Sequence, residues 1–277
     1  MTRGGRRLDR PARAALVVLG ALVLAAIIVP PLVPTDPRAI GNVLALRFLP
    51  PLATDPLGHW HLLGTDAFGR DLFTRMMLAS RVSLLVGFAG SLLAGVAGIA
   101  VGAVAAWAGG AVDRVTMAVS DTLLAIPRLV LLLVAAALWP PGAVMVVLIL
   151  TATGWMGVAR LVRAEVLGVR THAYVEAAHA LGARSRRVLW RHVLPNALGP
   201  AIVAITLGVG SAILLESGLS FLGLGIQPPN PSWGNMIADG REAIVMAPWA
   251  ALAPGLALIA TVTCCTLLGD SLSDAGA

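Results

Sequence analysis

Three ionisable side chains stand inside or at the end of long apolar runs: Asp121, Arg128 and Glu216. An unpaired arginine within a bilayer costs at least about 2.5–3.5 kcal/mol, so such residues usually mark an ion or solute pathway. Asp121 and Arg128 lie on nearly the same face of one predicted helix, but two turns, about 10.5 Å, separate their backbones. The three residues are therefore candidates for lining a translocation path. The alternative for Arg128 is a structural contact with the carbonyls of a neighbouring helix or with Glu216.

The sequence excludes several kinds of catalytic chemistry. All 20 basic residues are arginine, so the chain lacks the lysine that a P-loop ATPase or a Schiff-base enzyme requires. Cys264 and Cys265 are adjacent, which disfavours a disulfide, and no metal-ligand spacing surrounds them. Ser91 and Ser211 are candidate nucleophiles, but no paired histidine and aspartate accompany them in the apolar runs. We predict no catalytic residue, no metal site and no cofactor bound by this chain.

The most polar stretch, YVEAAHALGARSRRVLWRHVLPN, covers residues 174–196. Its pattern predicts two short helices, over 174–181 and 183–193. The second is amphipathic, because arginines alternate with the apolar residues Val188, Leu189, Trp190 and Val193. Gly182 between them can adopt a left-handed turn without steric cost, and Pro195 suits the start of the next helix. The residues leave two interpretations open: a rigid knob that fits a partner's groove, or an amphipathic helix on anionic lipid headgroups.

The composition around these residues is that of a membrane protein. Of 277 residues, 58% are hydrophobic and 12% are charged, whereas soluble domains carry about 25% charged residues. Helices of about 20 apolar residues span a bilayer. We predict six spans, at about 14–33, 82–108, 115–139, 143–159, 197–215 and 247–268. A cleavable signal peptide is the alternative for the first span, but its apolar run is long and lacks a clean cleavage site.

The second predicted span carries small residues at spacings of three to five positions. They are Gly87, Gly90, Ser91, Gly95, Gly98 and Gly102. Small side chains let helix backbones approach closely within a membrane, so we expect this span to pack tightly against its neighbours.

The arginines predict the orientation of the spans. With six crossings, most of the arginines and both termini fall on one side, together with the polar stretch 174–196. An arginine-rich side is typically cytoplasmic. Because these arginines are dispersed among apolar spans, the net charge of +6 favours a lipid bilayer over nucleic acid as the partner.

The spacing within the polar stretch is similar to that of a known loop. Glu176-Ala177-Ala178 is followed by Gly182 and, before the next span, by Leu194-Pro195. This pattern resembles the EAA loop of importer-type ABC transporter permeases, in which the loop is the coupling helix docked on a cytosolic ATPase. His192 departs from it, since many members have isoleucine there. The resemblance implies an EAA loop at 172–195 and these ATPase-coupling residues: Glu176, Ala177, Ala178, Leu181, Gly182, Arg184, Arg187, Leu194 and Pro195.

Two further stretches narrow the resemblance. HLLGTDAFGRDLFTRM at 61–76 and ESGLSFLGLGIQPPNPSWGNMI at 216–237 look like segments of dipeptide, oligopeptide and nickel permeases, closest to the C-type subunit. The implied assembly contains a second, different permease subunit, one or two cytosolic ABC ATPases that bind ATP and Mg, and an extracytoplasmic solute-binding protein. The loop at 216–247 would form an outer gate and part of the dock for the binding protein, or a packed loop without substrate contact.

The fold predicted from these features is an all-α integral membrane protein with six transmembrane helices, the type I ABC importer permease fold with a cytoplasmic coupling helix. Residues 1–60 would hold the N-terminal tail, the first helix and the start of the outer loop, and residues 78–270 the permease domain. The implied function is ATP-driven inward passage of di- and oligopeptides across the prokaryotic cytoplasmic membrane, with Arg128 as a candidate for meeting a peptide carboxylate. Import of nickel chelates or glutathione stays open, as does, more remotely, a stand-alone channel or secondary transporter.

Overall fold

The computed structural model describes residues 9–33 and 43–274, so Arg3, Arg6, Arg7 and Arg38 lie outside the described residues. The helices are α1 Arg10–Leu32, α2 Val43–Leu46, α3 Leu72–Ala108, α4 Gly110–Leu124, α5 Arg128–Leu138, α6 Ala143–Val169, α7 Ala173–Ala180, α8 Ser185–Val188, a π-helical turn Leu189–Val193, α9 Leu194–Ala197, α10 Gly199–Phe221, α11 Trp233–Arg241 and α12 Trp249–Asp274. One small antiparallel hairpin pairs β1 Ala53–Thr54 with β2 Trp60–His61. The predicted helical membrane architecture is confirmed, with this hairpin as an addition.

Five helices of the described chain are individually long and apolar enough to cross a bilayer, namely α1, α3, α6, α10 and α12. The longest, α3, begins at Leu72 rather than Val82, because Asp71 caps it. The Asp71 carboxylate accepts hydrogen bonds from the Thr74 backbone N–H at 2.8 Å and from the Thr74 hydroxyl at 2.6 Å. With 37 residues, α3 is about 55 Å long, well beyond a hydrocarbon core of about 30 Å.

The prediction of a single straight helix over 115–139 is wrong. Helices α4 and α5 meet at an angle of 88°. Pro127 has no N–H to continue the helix and disfavours a helical conformation at Ile126. It stands as the N-cap of α5, with φ −53° and ψ 123°. Asp121 and Arg128 therefore lie on different helices and do not share a face.

The bent pair of α4 and α5 still completes a sixth crossing. Helices α3 and α6 run parallel, as their facing residues show: Gly90 with Leu150, Gly98 with Val158 and Gly102 with Ala159. Because two parallel helices need a return path between them, α4 and α5 together carry the chain back across the bundle. We call the end where α3 and α6 finish, at Ala108 and Val169, the arginine-rich end, and the end that carries residues 43–71 and 222–248 the loop-rich end.

The glycines of α3 allow its close packing, as predicted. A Cβ atom at Gly98 would lie 2.7 Å from the carbonyl oxygen of Trp155 and 2.6 Å from the Cβ atom of Val158. A Cβ atom at Gly102 would collide with the carbonyl oxygen of Ala159. Because both carbonyl oxygens belong to the backbone of α6, only glycine permits this distance between the two helices.

An arginine of α3 holds the end of α1. Pro30 and Pro31 lie inside α1, and since neither has an N–H, the carbonyls four residues earlier lose their helical partners. Arg81 supplies the two missing donors. Its Nε atom donates to the Ala26 carbonyl, and its Nη2 atom donates to the Ile27 carbonyl at 2.7 Å. Because Arg81 lies near the start of α3, α1 ends at the loop-rich end and begins at the arginine-rich end.

Buried carboxylates organise the loop-rich end. Oδ1 of Asp55 accepts hydrogen bonds from the backbone N–H groups of Leu57 and His59, both at 2.8 Å. Burial acts to raise the pKa of Asp55, but the hydrogen bonds from His59 and Leu57 and the charge of His59 outweigh it and lower the pKa. Nearby, the Asp66 carboxylate accepts from Nε of Arg70 at 2.7 Å. These contacts fix the loops that precede α3.

Candidate functional sites

The EAA segment, residues 172–197, turns back sharply at Gly182. Gly182 has φ of +78°, its N–H donates to the carbonyl of His179 at 2.9 Å, and the N–H of Ala183 donates to the carbonyl of Ala178 at 3.1 Å. This pair of bonds is a Schellman motif that closes α7. The predicted left-handed turn at Gly182 is confirmed. A Cβ atom there would meet nothing within 4 Å, so the backbone angle, not space, requires glycine.

The EAA segment is anchored by apolar side chains on its inner face. Val175, Val188, Leu189, Val193, Leu194 and Ala197 are buried in one cluster with Ala103 and Ala106 of α3 and Val162, Val166 and Val169 of α6. The π-helical turn contributes Leu189 and Val193 to this face. Nη1 of Arg170 also donates to the Ala106 carbonyl at 3.1 Å, and the rings of Trp107 and His179 stack with centroids 6.3 Å apart. The segment is therefore a rigid extension of α3 and α6.

The outer face of the EAA segment holds most of the predicted coupling residues. Exposed are Glu176, Ala177, Leu181, Gly182, Arg184, Arg187 and Pro195, whereas Ala178 is half-buried and Leu194 is buried. Glu176 stands in the first turn of α7, where the helix dipole favours a carboxylate. Leu181 is 88% exposed and Trp190 is 60% exposed. Large apolar side chains that stay exposed beside charged residues mark this segment as a candidate contact surface.

Trp190 was not among the predicted contact residues. The alternation of apolar residues and arginines predicted that Trp190 would lie on the apolar face with Val188 and Val193. The structure buries Val188 and Val193 but turns Trp190 outward. The π-helical turn at Leu189–Val193 changes the angular spacing of the side chains, which a 3.6-residue period does not capture.

A second feature is a cavity of about 370 Å³ between α3, α5, α6 and α10. It is lined mostly by small residues: Ser91, Ala94, Gly95, Arg128, Gly154, Gly157, Val158, Ala204, Ile205, Leu207, Gly208, Ser211 and Ala212. Nε of Arg128 lies 3.5 Å from Oγ1 of Thr153, and its Nη2 atom lies 3.4 Å from the Leu150 carbonyl oxygen. The contact with a neighbouring carbonyl exists, but it is long for a hydrogen bond.

Asp121 and Glu216 lie away from this cavity. Asp121 pairs with Arg160 at 3.3 Å, and both side chains are more than half exposed, at 59% and 55%. Next to it, Asp113 accepts two bonds from Arg163, at 2.5 and 2.6 Å. These pairs fasten α4 to α6. Among the three residues predicted for a path, only Arg128 lines the cavity, together with Ser91 and Ser211, which the sequence suggested only as nucleophiles.

Glu216 forms a buried clamp between three helices. Its side chain is fully buried and accepts hydrogen bonds from the hydroxyls of Ser83 at 2.9 Å, Ser220 at 2.7 Å and Ser217 at 3.4 Å. The Ser83 hydroxyl accepts in turn from the backbone N–H of Trp233 at 3.3 Å. Glu216 of α10 is thereby tied to α3 and to the start of α11. The i, i+4 spacing of Glu216 and Ser220 could have indicated part of this clamp.

Comparison with known proteins agrees with this architecture. The family model described as "Binding-protein-dependent transport system inner membrane component" matches residues 98–275. The oligopeptide transport system permease protein OppC of Bacillus subtilis is 34% identical over 97% of this chain and 86% of its own length. The dipeptide transport system permease protein DppC of the same organism is 39% identical over 96% and 81%. A probable peptide ABC transporter permease of Sinorhizobium fredii, y4tQ, is 46% identical over 76% and 72%.

Solved structures support the same fold. A structure of the inward-facing MetNI methionine ABC transporter superposes with a TM-score of 0.59, at 19% identity, and covers 73% of this chain and 96% of that chain. A second crystal form of that transporter gives the same TM-score at 21% identity. The predicted type I importer fold is confirmed, while the domain boundaries at 60 and at 78–270 stay a prediction.

Family membership also settles the general role of the chain. Permeases of this kind are integral membrane components that work with ATPase and solute-binding partners, and they carry no ATPase site themselves. The prediction of a non-catalytic subunit is therefore confirmed by the relatives. The chain belongs to the binding-protein-dependent transport system inner membrane component family and is a permease subunit of an ABC importer.

Proposed function

We propose that this permease passes di- and oligopeptides inward across the cytoplasmic membrane, using ATP hydrolysed by partner chains. The relatives named as oligopeptide and dipeptide permeases support the substrate class, since they align with nearly the whole chain. The observation that carries the mechanism is the rigid EAA segment, which joins the ends of α3 and α6 and presents an exposed face.

The EAA segment would receive the motion of a cytosolic ATPase. Its outer face offers Leu181 and Trp190 as apolar contacts and Arg184 and Arg187 as exposed charges. Because the buried face continues into α3 and α6, a displacement of the segment moves both helices instead of bending a loop. ATP and Mg are bound by the ATPase in this mechanism, not by this chain.

The remaining parts of the assembly follow from the same orientation. The arginine-rich end would face the cytoplasm, with both termini, and the loop-rich end would face the extracytoplasmic solute-binding protein. A second, different permease subunit would complete the pathway as a heterodimer. Residues 222–247, which contain α11, would supply part of the outer gate and of the binding-protein dock. Residues 216–221, predicted as part of this loop, belong instead to α10.

The test is reconstitution of the whole transporter with Gly182→Pro. Proline fixes φ near −65° and has no N–H, so it is incompatible with φ of +78° and with the bond from Gly182 to His179. We expect loss of ATPase co-purification and of ATP-dependent peptide uptake. The matched control is Gly58→Pro at the loop-rich end, where glycine has φ of +86°; this variant should retain the ATPase.

Two results would reject the proposal. Undiminished ATPase binding and uptake in Gly182→Pro would show that the EAA segment does not couple the two chains. Uptake that persists in proteoliposomes without the ATPases would indicate a stand-alone transporter. A ligand screen of the solute-binding protein, in which peptides compete with nickel chelates and glutathione, tests the substrate class separately.

A further inference from the structure

Arg128 has few partners for a cation inside a membrane bundle. Its contacts are two neutral acceptors at 3.4 and 3.5 Å, although a guanidinium carries five N–H donors. None of the ion pairs within residues 9–33 and 43–274 includes Arg128. Arg163, one helix away, contrasts with it, because it forms two bonds of 2.5 and 2.6 Å with Asp113. Arg128 therefore has donors to offer to an acceptor that enters the cavity.

The position of Arg128 suits a binding site within the membrane. Helix α6 starts at Ala143 at the loop-rich end, so Leu150 and Thr153 lie about 10 and 15 Å along it. In a core of about 30 Å, this is close to the middle. Arg128 is also the first residue of α5, where the helix dipole adds positive potential.

The cavity wall selects for a small anionic group. None of the described residues that line it is acidic, and its other hydroxyl-bearing residues are Ser91 and Ser211. The volume of about 370 Å³ lies within the usual range for small-molecule sites. A carboxylate can accept two parallel N–H bonds from a guanidinium. A bound carboxylate would thereby neutralise the charge of Arg128, which no acidic residue among the described residues of the cavity wall does.

We infer that Arg128 is a carboxylate subsite of the translocation cavity, where its guanidinium receives the C-terminal carboxylate of a peptide in transit. This inference rests on the proposed peptide import. The long contacts with Thr153 and Leu150 hold the side chain in place between transport events and are weak enough to yield to a carboxylate. A neutral C-terminal amide lacks the charge and fits this subsite poorly.

The experiment compares tri-alanine with tri-alanine amide in proteoliposomes that contain the complete transporter and its binding protein. The measured quantity is the ratio of kcat/KM for acid and amide uptake in wild type, Arg128→Gln and Arg128→Lys. Any preference of the binding protein is the same in all three and cancels when the ratios are compared. We expect Arg128→Gln to lower the ratio about tenfold or more, as for loss of a charged hydrogen bond. Arg128→Lys should lie between the two.

Two further variants separate a subsite from a structural role. Arg160→Gln removes an exposed arginine of α6 that pairs with Asp121 and does not line the cavity, so it should leave the ratio unchanged. Ser211→Asp places a carboxylate on the cavity wall with Arg128 intact, and it should lower acid uptake more than amide uptake. Since Ser211→Asp keeps Arg128, it tests the carboxylate subsite even if Arg128→Gln does not assemble.

Three results would overturn the inference. An unchanged ratio in Arg128→Gln, or an equal loss for both peptides, would assign Arg128 a structural role. An unchanged ratio in Ser211→Asp would show that a charge in this cavity does not meet the peptide terminus. Absence of uptake of either peptide by the wild type would reject peptide import itself, and the subsite with it.

Discussion

The contact of α3 with α6 allows a quantitative test through Gly98→Ala. The new methyl carbon would lie 2.7 Å from the Trp155 carbonyl oxygen, against at least 3.4 Å for an ordinary contact. The Cβ atom of Val158 is closer still, at 2.6 Å, so the helices must separate locally by about 0.8 Å, and overpacking of this kind costs about 1–3 kcal/mol. Alanine also favours the helix over glycine by up to about 1 kcal/mol. Against the wild type the net loss is therefore about 0–2 kcal/mol, and against a glycine-to-alanine change without a collision it is about 1–3 kcal/mol, or roughly 2–12 °C in melting temperature.

The matched control is Gly168→Ala on α6, where an added Cβ atom meets nothing within 4 Å. It carries the same propensity gain without the collision, so its melting temperature should equal or exceed that of the wild type. Both variants are measured by thermal unfolding of the purified transporter complex. If Gly98→Ala melts together with the wild type and Gly168→Ala, the close approach of these helices does not depend on glycine and the reasoning fails.

Three further predictions concern other named contacts. Arg81→Met leaves two carbonyls of α1 without donors, and we expect a loss of about 1–3 kcal/mol together with faster proteolysis of α1. Glu216→Ala removes the acceptor of three serine hydroxyls and should lower stability by about 2–4 kcal/mol, while Glu216→Gln retains most of it. The folded pKa of Asp55 is lowered, so its stabilisation is present above the unfolded pKa and is lost as pH falls. The difference in melting temperature between wild type and Asp55→Ala should therefore shrink below about pH 4.

Each of these has a result that contradicts it. Protection of α1 in Arg81→Met equal to that in the wild type would mean that the carbonyl bonds do not hold the helix. Equal melting temperatures for Glu216→Ala and Glu216→Gln would show that the hydrogen bonds to the Glu216 side chain do not stabilise the fold. A difference between wild type and Asp55→Ala that stays constant from pH 3 to pH 7 would exclude the carboxylate charge as its source.

Local signals predicted much of this fold. The apolar runs located the spans, the glycine spacing in α3 identified its packed face, and Gly182 marked the turn of the EAA segment. Asp71, directly before the apolar Leu72 and Phe73, is a helix-start signal that could have placed the start of α3 correctly. These features depend on neighbours in the sequence, which is why the sequence alone reveals them.

The remaining features depend on contacts between distant residues. Pro127 signals a helix break or a kink, but whether the chain bends slightly or by 88° depends on how α5 packs against α6. Likewise, no sequence pattern places Ser83 within 2.9 Å of Glu216 across 133 positions. The bend separates Asp121 from Arg128. It therefore also decides that Arg128, and not Asp121, lines the cavity.

The length of α3 has a mechanical consequence. Its first residues are bound to the outer loops through Asp71, whose carboxylate contacts Nδ1 of His61 at 2.9 Å, and its last turns pack against the EAA segment through Ala103 and Ala106. A stiff rod of about 55 Å that pivots near its centre by about 5° moves its two ends by about 2.4 Å in opposite directions. An uninterrupted helix that pivots in this way would couple inward motion at one membrane face to outward motion at the other.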